Sequence, residues 1–589
     1  MTVLQELDRY YDRMAARHDV VLPGWSMEPI GVVLEVASDG ALLGTALWLD
    51  DRKKPRVSRV PKWFSRSGTS STPNFLWDNA AYVLGLGTKD PAKTARDHAA
   101  FRALHLEALE GEADPGLLAV RRFLEHWVPY APRVPGLDDK ALALNFGFRL
   151  QGEYSDLVHE RPAVLPHVER LRKAGAPGET GFCLVRGARL PLVRLHPKIK
   201  GVDGTASAEV PLVSFNADAF TSYGKDQGYN APTSAEAAFR YGAALNALLT
   251  RGGPNRLRIA DLSVAFWADA SALDAAAAGA AAACAENIFA VLATDQPAPT
   301  DDRQQAELLR DRLRHVTAGQ PLSALAPELR DGIRFHVLAL APNAARLSVR
   351  TWISNDFSVF IHALAAHGKA LALDPIPRGG QWPPSVHRLL TRTTALQEKA
   401  ENIPAGLTGA VLQAVLAGSP YPRTWLTAVL TRLRAGDDRG SGWHAAAIKA
   451  GLSRMNHEEP APMSLDEASV NPAYQLGRLF AVLEKAQREA LGRVNASVAD
   501  RYYGSFSATP ARVFATLMRG ARIHISAANK LKRGFWIDKR IEQIMTHLPE
   551  ELPRTLRVED QGRFAIGYYH ERAYFPPKPP ETSPDEETP

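Results

Sequence analysis

Cysteine is almost absent from this chain: its 589 residues hold only Cys183 and Cys284, far apart. Two such residues build neither a disulfide framework nor, by themselves, a zinc cluster, so a reduced, cytoplasmic setting is expected. Lipid-compatible runs are also scarce. The most apolar stretch, Ala272 to Ala293, contains Asp274 and Glu286, and alanine-rich helices of this kind pack against protein. The N-terminus carries Glu6, Asp8 and Asp12, which do not suit a secretory signal. No membrane association is expected.

Catalytic signatures are missing as well. There is no GxxxxGK[ST] phosphate loop; His367-Gly368-Lys369 lacks the upstream glycine. His362 and His367 are five residues apart, a spacing that does not align two metal ligands on one helical face. Asp97-His98 is a single pair, Asp261 and Asp356 are isolated carboxylates, and no GxSxG or CxxC occurs. The expectation is a non-enzyme with no metal and no cofactor. Metal-free RNA cleavage needs only a well-placed His, Lys or Tyr, so a metal-independent RNA-processing nuclease stands as the alternative.

What is present begins with size. A chain of 589 residues exceeds one ordinary core and predicts two to four domains. Apolar residues at 45% and charged residues at 23% suit a globular protein, and a net charge of +6 excludes little by itself. Helical spacing runs over Leu4–Met14, Lys93–Leu109 and Leu117–His126. Ile30–Val36 and Ala41–Leu49 alternate around Asp39-Gly40, a hairpin signature, and Leu142–Leu150 reads as a strand. Strand Arg256–Trp267, the Ala-rich helix, a hairpin of Arg334–Ala341 with Arg346–Ile353, and helix Phe357–Gly368 follow. That β-α-β-β-α string fits a ferredoxin-like or RRM-like unit as well as it fits another α+β sandwich. Beyond Arg378-Gly379-Gly380 only helical patterns remain. The fold class is α+β: an N-terminal mixed α/β region followed by a C-terminal helical bundle. Its divisions are 1–180, 181–375, a helical linker 376–462, a basic bundle 463–575, and a Pro-, Glu- and Thr-rich tail 576–589 expected to be disordered.

Charge clusters where the total does not show it. From Arg52 to Arg66 there are seven Lys or Arg and no acid: Arg52, Lys53, Lys54, Arg56, Arg59, Lys62 and Arg66, with Trp63 and Phe64 interleaved. A charge run is usually solvated surface. Seven cations without an acid repel one another unless a polyanion neutralises them, and this favours contact with nucleic acid. The turn that follows carries Ser67, Thr69, Asn74 and Asn79. Asn offers a donor and an acceptor to a base edge, but it also fixes turns and caps helices. Between Asn471 and Met545 there are 13 Lys or Arg and 5 Asp or Glu. Arg519, Arg522, Lys530, Lys532 and Arg533 concentrate there, beside Phe535 and Trp536. Leu476, Leu479, Phe480 and Leu483 form a helical apolar stripe, so a bundle with a basic outer face is expected, able to hold a single strand. Asn216–Asn230 is dense in amide, hydroxyl and aromatic groups with Lys225. It reads either as a loop held by its own hydrogen bonds or as a contact surface.

Several long blocks lie in order along nearly the whole chain: LQELDRYYDRM, SGTSSTPNFLWDNAAYVLGLG, LVSFNADAFTSYGKDQGYNAPTSAEAAFRYGAALNALL, RLSVRTW and NPAYQLGRLFAVLEKAQREALG. Together they make the sequence resemble the large subunit of the type I-C CRISPR surveillance complex, Cascade. The resemblance implies recognition of the protospacer-adjacent motif in double-stranded DNA, help in strand opening, and recruitment of a helicase–nuclease effector. Implied partners are the guide CRISPR RNA ribonucleoprotein, the backbone and guide-end-capping subunits, and target double-stranded DNA. An internal start at Met455 or Met463 would release the C-terminal region as a separate small subunit, as the resemblance also implies. Within the matching block, Ser67, Thr69, Asn74 and Asn79 are the motif-reading candidates.

Overall fold

A computed structural model describes residues 2–575 apart from 17–19, 63–70, 88–89, 130–136, 155, 175–178, 294–307, 309–311, 314–320, 378–381, 396–398, 400–401, 405, 438, 440–441, 456–459, 493 and 533. The expected tail 576–589, and Trp63, Phe64, Arg66, Ser67, Thr69, Arg378, Gly379, Gly380 and Arg533, lie outside the described residues. The chain divides into two compact units, Met1–Lys200 with Ser207–Ala247, and Gly201–Ala206 with Leu248–Pro589. The α+β class holds, with helix over about half the chain and the strands confined to its earlier part.

The first unit is organised around a buried strand. Its strands are β1 (Trp25–Ile30), β2 (Val32–Val36), β3 (Leu42–Leu47), β4 (Arg56–Pro61), β5 (Asp78–Asn79) and β6 (Asn145–Leu150). The sheet order is β3-β2-β6-β5, with β2 and β6 parallel, and β1 pairs separately with β4. The hairpin expected at Asp39-Gly40 is the β2–β3 pair. Val32, Leu34 and Val36 face one core with Phe101, Val120, Phe123 and Phe148; Val33 faces another with Ile30, Val60, Trp77 and Leu157. A strand covered on both faces needs an unbroken apolar run rather than alternation, and VVLEV nearly supplies it. Asp90 caps the helix Pro91–Ala108 at the Lys93 amide, and Asp114 caps Pro115–His126 at Gly116 and Leu117. Each helix has Pro in its first turn, where no donor is lost. Two short ladders, β7 (Thr180–Phe182) with β8 (Arg189–Pro191) and β9 (Lys198–Lys200) with β10 (Glu209–Pro211), lead to the helix Ala235–Leu248.

In the second unit, β11 (Arg256–Ile259), β12 (Leu262–Asp269), β13 (Arg334–Asn343) and β14 (Arg346–Asp356) form an antiparallel sheet in consecutive order. The single strand expected over Arg256–Trp267 is therefore a hairpin. Ala260 turns it with φ 54°, and the His387 Nδ1 accepts from the Ala260 amide at 2.9 Å. Alanine rarely takes that conformation, so the turn carried no local signal. The ferredoxin-like option falls as well. It requires a strand inserted between the two that flank the helix, whereas β12 and β13 flank the helix Ala275–Ala293 and pair directly. That helix is long and apolar enough to cross a membrane, yet Ala281, Ala282, Ala285, Ile288 and Phe289 pack into the core and Phe289 lies 4.9 Å from Phe266.

The remaining described elements are helices, and their core is continuous with that of the sheet, from Leu257 to Tyr569. The expected divisions 376–462 and 463–575 share it. The stripe Leu476, Leu479, Phe480 and Leu483 is fully buried, as expected. Helix Val558–Tyr574 crosses Pro472–Leu491 so closely that a Cβ on Gly477 would overlap the Phe564 carbonyl, and one on Gly567 the Tyr474 carbonyl. Gly477→Ala should therefore cost about 2–3 kcal/mol by overpacking. Gly504→Ala, at a helical site with open space around it, should add about 0.5–1 kcal/mol. Guanidinium unfolding of both variants measures the contrast; equal midpoints would mean the crossing tolerates a methyl group.

Candidate nucleic-acid interface

Within the described part of the basic stretch, Arg52 to Lys62, residues Arg56–Pro61 form one strand of a β-ribbon. Arg56–Pro61 pairs residue for residue with β1, and along Val57–Val60 exposed and buried side chains alternate. The sequence Val57-Ser58-Arg59-Val60 sets its apolar residues three apart, so the strand carried no period-two signal. At the tip, the Asp50 carboxylate accepts from the Arg52 and Lys54 amides at 2.9 and 2.8 Å, and Lys53 takes φ 58°. Arg56 lies over the Trp48 ring at 4.7 Å and donates to the Leu49 carbonyl at 2.8 Å; Arg59 lies over Trp25 at 5.0 Å. Arg52, Lys53, Lys54, Arg56 and Arg59 are exposed. Lys62 is engaged elsewhere, 2.8 Å from Glu28. Burial pushes the Glu28 carboxyl up, but Lys62, Lys200 and the Ser26 hydroxyl together hold it below its usual range.

The turn before β5 is locked from within. Leu76 takes φ 64° and donates its amide to His105 Nε2 at 2.8 Å, while His105 Nδ1–H donates to the Phe101 carbonyl at 2.7 Å. Those two bonds require the neutral ring, and complete burial lowers its pKa to about 4. Asp78 accepts from the Asn74 and Asn79 amides, both at 2.9 Å, and Trp77 donates to the Pro61 carbonyl at 2.7 Å, tying the turn to the end of β4. Asn74 is 5% exposed. The Asn79 side chain caps the short helix Ala80–Val83 through the Ala81 amide at 3.0 Å.

The second unit carries the other cationic face. Helix Pro510–Lys530 buries Leu517, Ala521, Ile525 and Ala528 and exposes Arg512, Arg519, Arg522 and Lys530. Lys532 is exposed beyond its end. No Asp or Glu occurs between Asp500 and Asp538. Exposed apolar groups interleave: Ile523 at 71% and Phe535 at 70%, with the Trp536 ring tilted against Phe575 at 5.2 Å between centroids. Beside the helix start, Arg501, Tyr502, Ser505, Thr509, Arg512 and Thr516 line an open groove of about 340 Å³. Arg501 and Arg512 were not singled out in sequence. Their signal was the acid-free interval itself, which begins at Arg501.

Two of the histidines considered for catalysis have structural partners. His98 Nδ1–H donates to the Tyr82 carbonyl at 2.8 Å, and His367 is buried against the Tyr421 hydroxyl, where burial lowers its pKa to about 3. Asp97 is 2.7 Å from Lys93.

Fold and surface thus define an α+β protein of two units, each presenting an exposed cation-rich face. The family model for CRISPR-associated protein (Cas_Csd1) matches residues 7–575, so this chain belongs to that family, the large subunit of type I-C Cascade. It is a component of a CRISPR Cascade complex with other Cas subunits, in a family of structural subunits. No curated protein matches the sequence.

The His105 lock makes a pH prediction. The unfolded imidazole has a pKa near 6.5, so between pH 6.5 and about 4 the unfolded state binds more protons than the folded one. Stability is then fully present above pH 6.5 and falls as the pH drops toward 4, by up to about 1.4 kcal/mol per pH unit per histidine. His159, lowered to about 3 by burial and by the Arg59 charge, extends the fall. Denaturant unfolding across this window should show a shallower slope in His105→Gln; an unchanged slope would remove His105 as a contributor.

Proposed function

We infer that this chain recognises the protospacer-adjacent motif in double-stranded DNA, aids strand opening and recruits the helicase–nuclease effector of the type I-C system. It acts in the cytoplasm, without catalysis of its own, on the guide CRISPR RNA ribonucleoprotein with its backbone and guide-end-capping subunits. The observation that carries the reading is the exposed row Lys53, Lys54, Arg56 and Arg59 on a ribbon whose end is hydrogen-bonded to the Trp77 turn. Fixed cations on a ribbon neutralise phosphates and set register; base contacts then specify sequence. Ser67 and Thr69 follow the ribbon directly in sequence and are the nearest base-contact candidates, with Asn74 and Asn79 holding the turn in position. Pairing between guide and target supplies the remaining specificity.

On the second unit, Arg519, Arg522, Lys530 and Lys532, continued by Arg533, offer a phosphate track with Phe535 as a stacking surface for the displaced strand. A small subunit beginning at Met455 or Met463 would carry the same helix. The continuous core means that such a subunit would expose residues that are buried in the full chain. No observation favours the nuclease alternative.

The test is DNA binding by the reconstituted guide-RNA complex, with and without this chain, on targets with randomised flanking bases. Flank-dependent binding should appear only when the chain is present. Replacing Lys53, Lys54 and Arg56 together by Ala should weaken binding to every sequence. It should also flatten the dependence of log K on log salt by about 0.9 for each phosphate left without its cation. Equal binding across flanks, or an unchanged salt slope, would move recognition to another subunit.

A further inference from the structure

Between β10 and the helix Ala235–Leu248, residues 216–226 are exposed at every position. Exposure of that length usually accompanies loose structure, yet this segment is tied together. The Asn230 carboxamide accepts from the Ser222 amide at 2.9 Å and donates to the Lys225 and Gln227 carbonyls at 2.6 and 3.0 Å. At its base, the Gly228 amide donates to the Arg194 carbonyl at 2.9 Å, and a Cβ on Gly228 would lie 2.5 Å from that oxygen. The result is a rigid finger.

Its tip is unusual. The Lys225 amide donates to the Ser222 carbonyl at 3.0 Å, and the two residues between, Tyr223 and Gly224, have φ 52° and 68°. A two-residue turn with both φ values positive favours Asn, Asp or Gly at its first position. Here that position is Tyr223, 98% exposed. The strained backbone carries an aromatic ring that packs on nothing in its own unit, which points to a use outside it.

We propose that this finger docks on another protein subunit of the complex, inserting Tyr223 into an apolar pocket rimmed by basic side chains. Charge separates this from nucleic-acid contact. The finger carries Asp218 and Asp226 against Lys225 alone, whereas both cationic faces of the chain come from stretches without an acid. Two carboxylates on the same finger oppose a phosphate backbone and suit a basic rim. Tyrosine is enriched among residues that dominate interface affinity. A preformed finger loses little conformational freedom on docking.

The full chain, immobilised, is offered either the purified protein subunits of the complex without RNA or the guide RNA alone. Tyr223→Gly removes the ring and also relieves the left-handed strain, so the variant should melt no lower than wild type. Its affinity for the protein subunits should fall by about tenfold or more, with guide-RNA binding unchanged. Exchanging Asp218 and Asp226 for Lys should weaken the protein contact further at low salt. Protein binding equal to wild type in Tyr223→Gly overturns the proposal. So does any loss of guide-RNA binding, which would place the ring against nucleic acid.

Discussion

At the centre of the second unit a single buried carboxylate holds two buried arginines. Glu571 is fully enclosed; Arg478 approaches it at 2.9 Å, and Arg540 reaches it at 2.6 and 3.1 Å. Three charged groups removed from water are costly unless every one is paired. Here the geometry answers: Arg478 also donates to the Gln475 side chain and the Glu467 carbonyl, and Arg540 meets the Glu467 carboxylate at 2.5 Å. The helices Pro472–Leu491, Phe535–Met545 and Val558–Tyr574 must therefore meet at one register. Gly477 and Gly567 permit the close backbone approach which that register demands. The basic helix Pro510–Lys530 packs on the same framework, so the orientation of its cations follows from a charge cluster none of them touches.

The first unit uses a neutral histidine for a comparable purpose. His105 can satisfy both the Leu76 amide and the Phe101 carbonyl only while uncharged. Burial keeps it so, and the left-handed Leu76 is held in place. Trp77 then joins the turn to the ribbon that displays Lys53, Lys54, Arg56 and Arg59. In both units, buried polar groups determine where exposed charge is presented, and the exposed charges themselves contribute little to the fold.

Much of this was legible along the chain. The Asp39-Gly40 hairpin, the capped helices after Asp90 and Asp114, and the Leu476–Leu483 stripe all follow from local chemistry, because turn residues, caps and helical periodicity act over a few positions. Other features were hidden for the same reason. The β11–β12 turn at Ala260 depends on His387, more than a hundred residues away, and the Arg56–Pro61 strand depends on β1. The Asn79 cap was among the local readings and holds, whereas the burial of Asn74 was hidden because only long-range packing encloses it.

Composition and local pattern by themselves determined the α+β class, the acid-free cationic stretches, and the long blocks that match the family. Those properties depend on residue type and order, which folding leaves unchanged. The tertiary structure decided which cations remain available and which are consumed. Lys62 is held by Glu28, and Arg478 and Arg540 by Glu571, while Arg56, Arg59, Arg519 and Arg522 face water. A side chain's charge is written in its sequence, but whether that charge is neutralised within the molecule depends on what distant segments bring within about 4 Å of it.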